Sequence, residues 1–327
     1  MNSTKQEISK LPLTVLAHRV ILTIGGNALI RPEEVGSVEE QWGRAISLAK
    51  ILAKMPPTIQ LVITHGNGPQ VGRVLLRSDL CAKEVPPIPV DLAVANTQGE
   101  IGLMLQQAIH TIGNRLAIAV LTQVIVNKDD PGFINPTKFI GSHYSEEEAK
   151  RRATSLGWIV KEDSGQGWRR VVPSPEPLEI VEQHAIEALL VQGFTVIACG
   201  GGGVPVIRKG DRLRGVEAVV DKDRSSALLA HKIGANTLIC LTGVDEVMLD
   251  FGKPTMRPLR VLPMDDARRY LEEGQFPEGS MGPKIRAALK FLSDGGSEVL
   301  ITSPELLDQA LKGERGTRIV RGDTEAT

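Results

Sequence analysis

The chain has 327 residues, a formal net charge of −1 and only 3% aromatic residues. A balance this close to neutral excludes a nucleic-acid or polyanionic partner bound by bulk charge, so any positive charge that matters is local. The core must come from Val, Ile, Leu and Ala, which suits a parallel sheet covered on both faces. No window approaches the length of a membrane span. The first 16 residues carry Lys5, Glu7 and Lys10 with no apolar run of signal-peptide length, so a cytoplasmic location is expected. Cys81, Cys199 and Cys240 are odd in number and far apart. They read as reduced thiols rather than a disulfide framework or metal cluster, with Cys199 and Cys240 buried in apolar strands.

In chain order, Val20–Ile24 is a strand ending in the turn Gly25-Gly26-Asn27-Ala28. Ser37 and Glu40 form a capping box, and Val38, Trp42, Ala45, Ala49 and Leu52 follow at helical spacing. Leu61–Thr64 is a second strand, running into His65-Gly66-Asn67-Gly68-Pro69. Two successive strands thus end in Gly-Asn turns at one edge of a parallel sheet, where open α/β sheets bind ligands. A helix with Leu103, Leu105 and Ile109 inward leads to one long strand, Leu116–Val126. Residues 127–175 are polar and rich in Pro and Gly, with a capped helix from Glu146 and a small hairpin around 164–167. They are expected to form a small protruding lid. Pro177–Gln192 is expected to be a helix.

The stretch 195–234 is central. A strand, Thr195–Cys199, runs into four glycines, Gly200 to Gly203; a charged turn, Arg208–Arg212, follows, then Asp221-Lys222-Asp223 at the start of a helix. Glycine tolerates positive φ and close backbone approach, and a helix N-terminus favours an anion. A phosphate site is one reading and a tight turn the other. Asn236–Leu241 is the next strand, ending near Asp245. A helix capped by Asp265 or Asp266 follows, then a second glycine-rich loop, 274–284, ending in Lys284 at another helix start. Strands at 298–302 and 316–320 close the chain. The alternation predicts an α/β fold around a mostly parallel open sheet with helices on both faces.

Phosphoryl transfer asks mostly for positioning and charge neutralisation. Lys138 on the lid, Lys222 and Lys284 are the candidates to supply that charge, with Asp223 either a helix cap or the anchor of the lysines. Asp245 serves a turn, a metal-bound water or a nucleotide. His65 reads as structural, and Trp42 and Trp158 as packing residues.

The motifs Gly25-Gly26-Asn27, His65-Gly-Asn-Gly-Pro-Gln-Val-Gly72, Thr122-Gln-Val124, Pro136-Thr-Lys138, Gly200–Gly203, Asp221-Lys-Asp223 and Gly279-Ser-Met-Gly-Pro-Lys284 occur in this order. Together they resemble carbamate kinase, of the amino-acid kinase superfamily, over about residues 19–321. The resemblance implies a three-layer αβα sandwich and a homodimer. It implies reversible phosphoryl transfer between ATP and carbamate with Mg²⁺, and no residue of this chain is singled out as a metal ligand. It divides the chain into an N-terminal extension 1–18, an acceptor lobe 19–199 containing the lid, and a nucleotide lobe 200–327. By motif, Gly25, Gly26, Asn27, Gly66, Asn67 and Gly68 hold carbamate or carbamoyl phosphate. Lys138, Lys222 and Lys284 contact phosphates, with Asp223 organising them. Gly200, Gly201, Gly202, Lys222, Asp245, Met248 and Lys284 bind ATP or ADP. Carbamate is already an anion and needs no general base, which further weakens a catalytic role for His65. This chain departs from the family pattern at Thr97, Phe139, Ser142-His143-Tyr144 and Met248, the last a place where an aromatic residue is common. Other readings are a kinase of the same superfamily with another small acid or phosphate as acceptor, and a nucleotide-binding protein without catalysis.

Overall fold

The computed structural model describes residues 19–25, 29–30, 34–113, 115–163, 165–277 and 280–322. The extension 1–18, the tail from Thr324, and Gly26 and Asn27 lie outside the described residues.

Eight strands form the central sheet, interleaved with helices. In order they are β1 (Arg19–Ile24), α1 (Val38–Leu52), β2 (Gln60–His65), α2 (Gly68–Leu80), α3 (Val90–Ile112), β3 (Ala117–Ala119), α4 (Glu146–Leu156) and α5 (Gln183–Val191), then β4 (Thr195–Ile197), α6 (Lys222–Lys232), β5 (Thr237–Leu241), β6 (Val261–Pro263), α7 (Met264–Glu272), α8 (Met281–Ser293), β7 (Glu298–Thr302) and β8 (Thr317–Val320). The strand order is β6-β8-β7-β5-β1-β2-β4-β3. Every neighbouring pair is parallel except β7 with β8.

Strand alternation sends the core in two directions. Val20, Leu22 and Ile24 join Ala45, Leu48 and Leu52 of α1 and Ile101, Leu105 and Ile109 of α3 in one apolar cluster. Ile21, Val62, Leu238 and Cys240 face the other way, onto Ile186 of α5, Ala227 of α6 and Ile285 and Leu292 of α8. The result is the three-layer αβα sandwich. The capping box is present, with Ser37 Oγ accepting from Glu40 N at 3.2 Å and Glu40 Oε2 from Ser37 N at 2.7 Å.

Several local expectations are corrected. Leu116–Val126 is not one strand. Ala117–Ala119 lies in the central sheet and Gln123–Val126 in a second, four-stranded sheet, because the chain breaks at Thr122 to receive the amide of Cys199. Pro177–Ile180 is a strand of that second sheet, and its helix begins only at Gln183. Pro263, not Asp265 or Asp266, precedes α7. Val38 and Leu103 point outward, at 55% and 54% exposure. Among the described residues no helix is long and apolar enough to cross a membrane.

The segment 127–175, expected as a lid, has three antiparallel strands, Lys138–Tyr144, Trp168–Val172 and Ile159–Glu162, rather than a hairpin alone. It is seated on α2. Gly72 approaches Gly141 so closely that a Cβ on Gly72 would lie 3.3 Å from the Gly141 Cα. Arg152 pairs with Asp79 at 3.1 Å, and its guanidinium sits 4.5 Å from the Tyr144 ring centre and 5.3 Å from that of Trp158. Arg170 reaches Glu217 at 2.7 Å.

Candidate active site

The lysine cluster is assembled at the carboxyl edge of the sheet from three distant segments. Asp221 caps α6, with Oδ1 accepting from Asp223 N at 2.9 Å and Arg224 N at 3.4 Å. The cap is therefore Asp221, not Asp223. It also consumes the first-turn amides that the sequence offered to an anion. Asp221 Oδ2 receives Lys138 Nζ of the lid at 2.8 Å. Asp223 stands between two lysines, with Lys222 Nζ 2.8 Å from Oδ1 and Lys284 Nζ 3.1 Å from Oδ2. Lys222 Nζ also donates to Thr23 Oγ1 of β1 at 2.8 Å. Thus Lys138, Lys222, Lys284 and Asp223 do come together.

Burial alone would raise the Asp223 carboxyl, but the two lysines hold it well below the usual range. Burial likewise opposes, and Lys138 more than offsets, at Asp221, whose carboxyl is also lowered. Lys284 would be lowered by burial, yet the Asp223 charge keeps its ammonium raised. Asp221 and Asp223 are therefore carboxylates at neutral pH, and Lys284 is an ammonium. Formally, three lysines against two aspartates leave one net positive charge for an incoming anion, with Lys222, Asp223 and Lys284 largely buried and Lys138 39% exposed.

Next to this cluster a cavity of about 1140 Å³ opens at the carboxyl ends of β1, β5 and β7. Arg44, Ser47 and Leu48 of α1 form one wall; Ser280, Met281 and Lys284 at the start of α8 form another. Asp245, Glu246, Met248, Phe251 and Phe276 line a third. Asp245 and Met248 thus face this cavity. Phe251 was not anticipated; it lines the cavity while 65% exposed, so its ring is available to a flat apolar partner. Gly25 and Lys284 belong to the cavity wall, and Lys284 is also in the lysine cluster, so it is the link between the two.

The glycine turns and Asn67 make contacts within the chain. Gly25 N donates to Leu241 O at 3.1 Å and Gly66 N to Ile24 O at 2.9 Å, so neither amide is free for an acceptor. Gly68 opens α2, followed by Pro69. Asn67 is 4% exposed, and its amide donates to Thr97 Oγ1 at 2.8 Å. The quartet Gly200–Gly203 is buried and is not part of the cavity wall. It is a wedge behind the site. A Cβ on Gly200 would fall 2.5 Å from His65 Nε2, on Gly201 2.2 Å from Asn67 Nδ2, and on Gly202 2.0 Å from Val220 O. His65 is buried, with Nδ1–H donating to Gly66 O at 3.1 Å. Burial, aided by Lys222 and opposed by that bond, lowers its pKa to about 4, so it is a neutral packing residue. The sequence suggested no site role for Asp221, Thr23, Thr97 or Phe251, although Asp221 stands in a helix-start motif, two residues from Asp223, and Thr97 at a departure from the family pattern.

A model of the amino acid kinase family matches residues 18–303. The carbamate kinase of Thermococcus kodakarensis is 44% identical over 312 residues, covering 93% of this chain and 99% of that protein. The chain belongs to the amino acid kinase family and, within it, groups with the carbamate kinases. It is thus a kinase-type phosphotransferase. The carbamate kinase-like protein YahI of Escherichia coli is 46% identical over 312 residues, 92% of this chain and 98% of that protein. Among solved structures, the carbamate kinase of Giardia lamblia bound to AMP-PNP is 37% identical, with a TM-score of 0.85 over 93% of this chain and 99% of that one.

Proposed function

We propose that the enzyme transfers a phosphoryl group reversibly between ATP and carbamate, so that ADP and carbamoyl phosphate give ATP and carbamate. The observation that carries this reading is Lys284, which stands on the wall of the large cavity and in the lysine cluster at once. The nucleotide occupies the cavity, with its base toward Met248 and Phe251 and its phosphates toward Lys284 and the start of α8. The acceptor sits by the turns at Gly25 and Gly68, with Gly26 and Asn27 contributing. Lys138, Lys222 and Lys284 offset the repulsion between two anions and the charge of the transferring group. Asp223 and Asp221 hold the lysines in place. Carbamate attacks as an anion, and no side chain has to remove a proton.

Among the described residues no group of three or more His, Cys, Asp or Glu stands ready as a metal cage. Asp221 and Asp223 are engaged by lysines. Mg²⁺ would therefore arrive on the nucleotide phosphates, with Asp245 on the cavity wall to hold it, since Glu246 is buried and paired with Arg260 at 3.0 Å. When bound, the ion neutralises phosphate charge. The residues 19–199 and 200–327 serve as acceptor and nucleotide lobes of one continuous sheet. A homodimer is favoured by the edge strand β3, beside which Leu103, Leu116 and Leu121 are 54%, 62% and 61% exposed.

The test is ATP formation from ADP and carbamoyl phosphate with Mg²⁺. Lys284→Ala is expected to lower turnover at least 10²-fold, on the order of losing one preorganised donor. Absence of ATP formation by the unaltered enzyme, with transfer to acetate or another small acid instead, would assign it to a different acceptor.

A further inference from the structure

Behind the reacting groups lies a buried polar clamp that the proposed reaction does not itself use. Thr122 is fully buried and Gln98 is 4% exposed. Gln98 grips the Thr122 backbone twice, its Oε1 accepting from Thr122 N at 2.8 Å and its Nε2 donating to Thr122 O at 3.1 Å. Thr122 Oγ1 donates to Val120 O at 2.9 Å and accepts from Cys199 N at 3.0 Å. Cys199 has φ +50, a left-handed conformation that a residue with a Cβ adopts only when its surroundings impose it.

Cys199 is the entry to the glycine wedge. That wedge touches the acceptor turn on one side, through His65 and Asn67. On the other it approaches Lys222, since a Cβ on Gly202 would be 3.3 Å from Lys222 N. Ser225 Oγ ties the same glycine to α6, donating to Gly202 O at 2.7 Å. The neighbour of Gln98 on α3, Thr97, accepts from the Asn67 amide. One turn of α3 therefore holds both the acceptor turn and the entry to the wedge.

We propose that Thr122 and Gln98 are positioning residues that set the acceptor turn at Asn67 relative to Lys222 by fixing Cys199 and the glycines that follow it. This rests on the reading that carbamoyl phosphate binds at that turn. Loss of the clamp shifts the wedge between the acceptor turn and the lysines. The nucleotide cavity, which neither residue lines, is spared.

The experiment compares wild type, Thr122→Val and Thr122→Ser in full-length enzyme. It measures KM for carbamoyl phosphate, calorimetric ADP affinity, and amide hydrogen exchange in the peptide 198–204. Valine keeps the shape and removes the acceptor for Cys199 N, so KM for carbamoyl phosphate should rise about tenfold, the effect of stranding one buried donor. ADP affinity should stay level, exchange in the peptide should quicken, and serine should restore all three. Equal weakening of both ligands, no change in either, or failure of serine to restore the acceptor constant overturns the proposal. If Thr122→Val does not fold, Gln98→Met takes its place: it should raise the carbamoyl phosphate KM and quicken exchange in the peptide with ADP affinity level, and equal weakening of both ligands or no change in either overturns the proposal. If the wild type forms no ATP, the proposed reaction falls, while faster exchange restored by serine still establishes that the clamp holds the wedge.

Discussion

His65 provides a prediction whose size follows from the structure. Unfolded, its imidazole titrates near 6.5; folded, it does so near 4, chiefly because the ring is buried. Between these values the unfolded chain carries one more proton than the native one, so the stability His65 contributes is complete above pH 6.5 and is lost as the pH falls toward 4. One pH unit in that window corresponds to about 1.4 kcal/mol, and the whole interval to about 3 kcal/mol. The perturbation is His65→Gln, which keeps a polar side chain against Gly200 and cannot titrate. Urea unfolding of both proteins from pH 4 to 7.5 is the assay. The wild type should lose about 3 kcal/mol more than the variant over this range, since other groups shared by both largely cancel. Parallel curves would refute the reasoning and place a charged or solvated imidazole at this turn.

Two further outcomes are expected. Lys138 is outside the cavity wall and bonded to Asp221, so Lys138→Ala should lower turnover by about 10²-fold while leaving ADP affinity unaltered; ordinary turnover with only a raised ADP constant would contradict this. Of the three free thiols, Cys81 is exposed and Cys199 and Cys240 are buried, with burial pushing Cys240 up to about 12. A thiol reagent should therefore modify one cysteine in the folded enzyme and three in denaturant, as read by mass spectrometry.

The local patterns were legible because their causes are local. The apolar runs at 20–24 and 237–241 and the capping box at Ser37 need only near neighbours to form what they form. The glycine quartet was visible as a feature, but its purpose was not. Whether a missing Cβ makes room for a ligand or for another part of the chain depends on what stands opposite, and here His65, Asn67 and Val220 stand there. Likewise Leu116–Val126 looks continuous by composition and is split only because Thr122 meets Cys199, 77 positions away.

The sequence by itself determined the α/β alternation around a mostly parallel sheet with helices on both faces, since period, caps and glycine punctuation act over a few residues. The tertiary structure alone decided which aspartate serves which lysine. Lys138 reaches Asp221 across 83 positions and Lys284 reaches Asp223 across 61. Such pairings arise when strand order brings distant ends to one edge, where burial makes an unpaired charge too costly to leave alone.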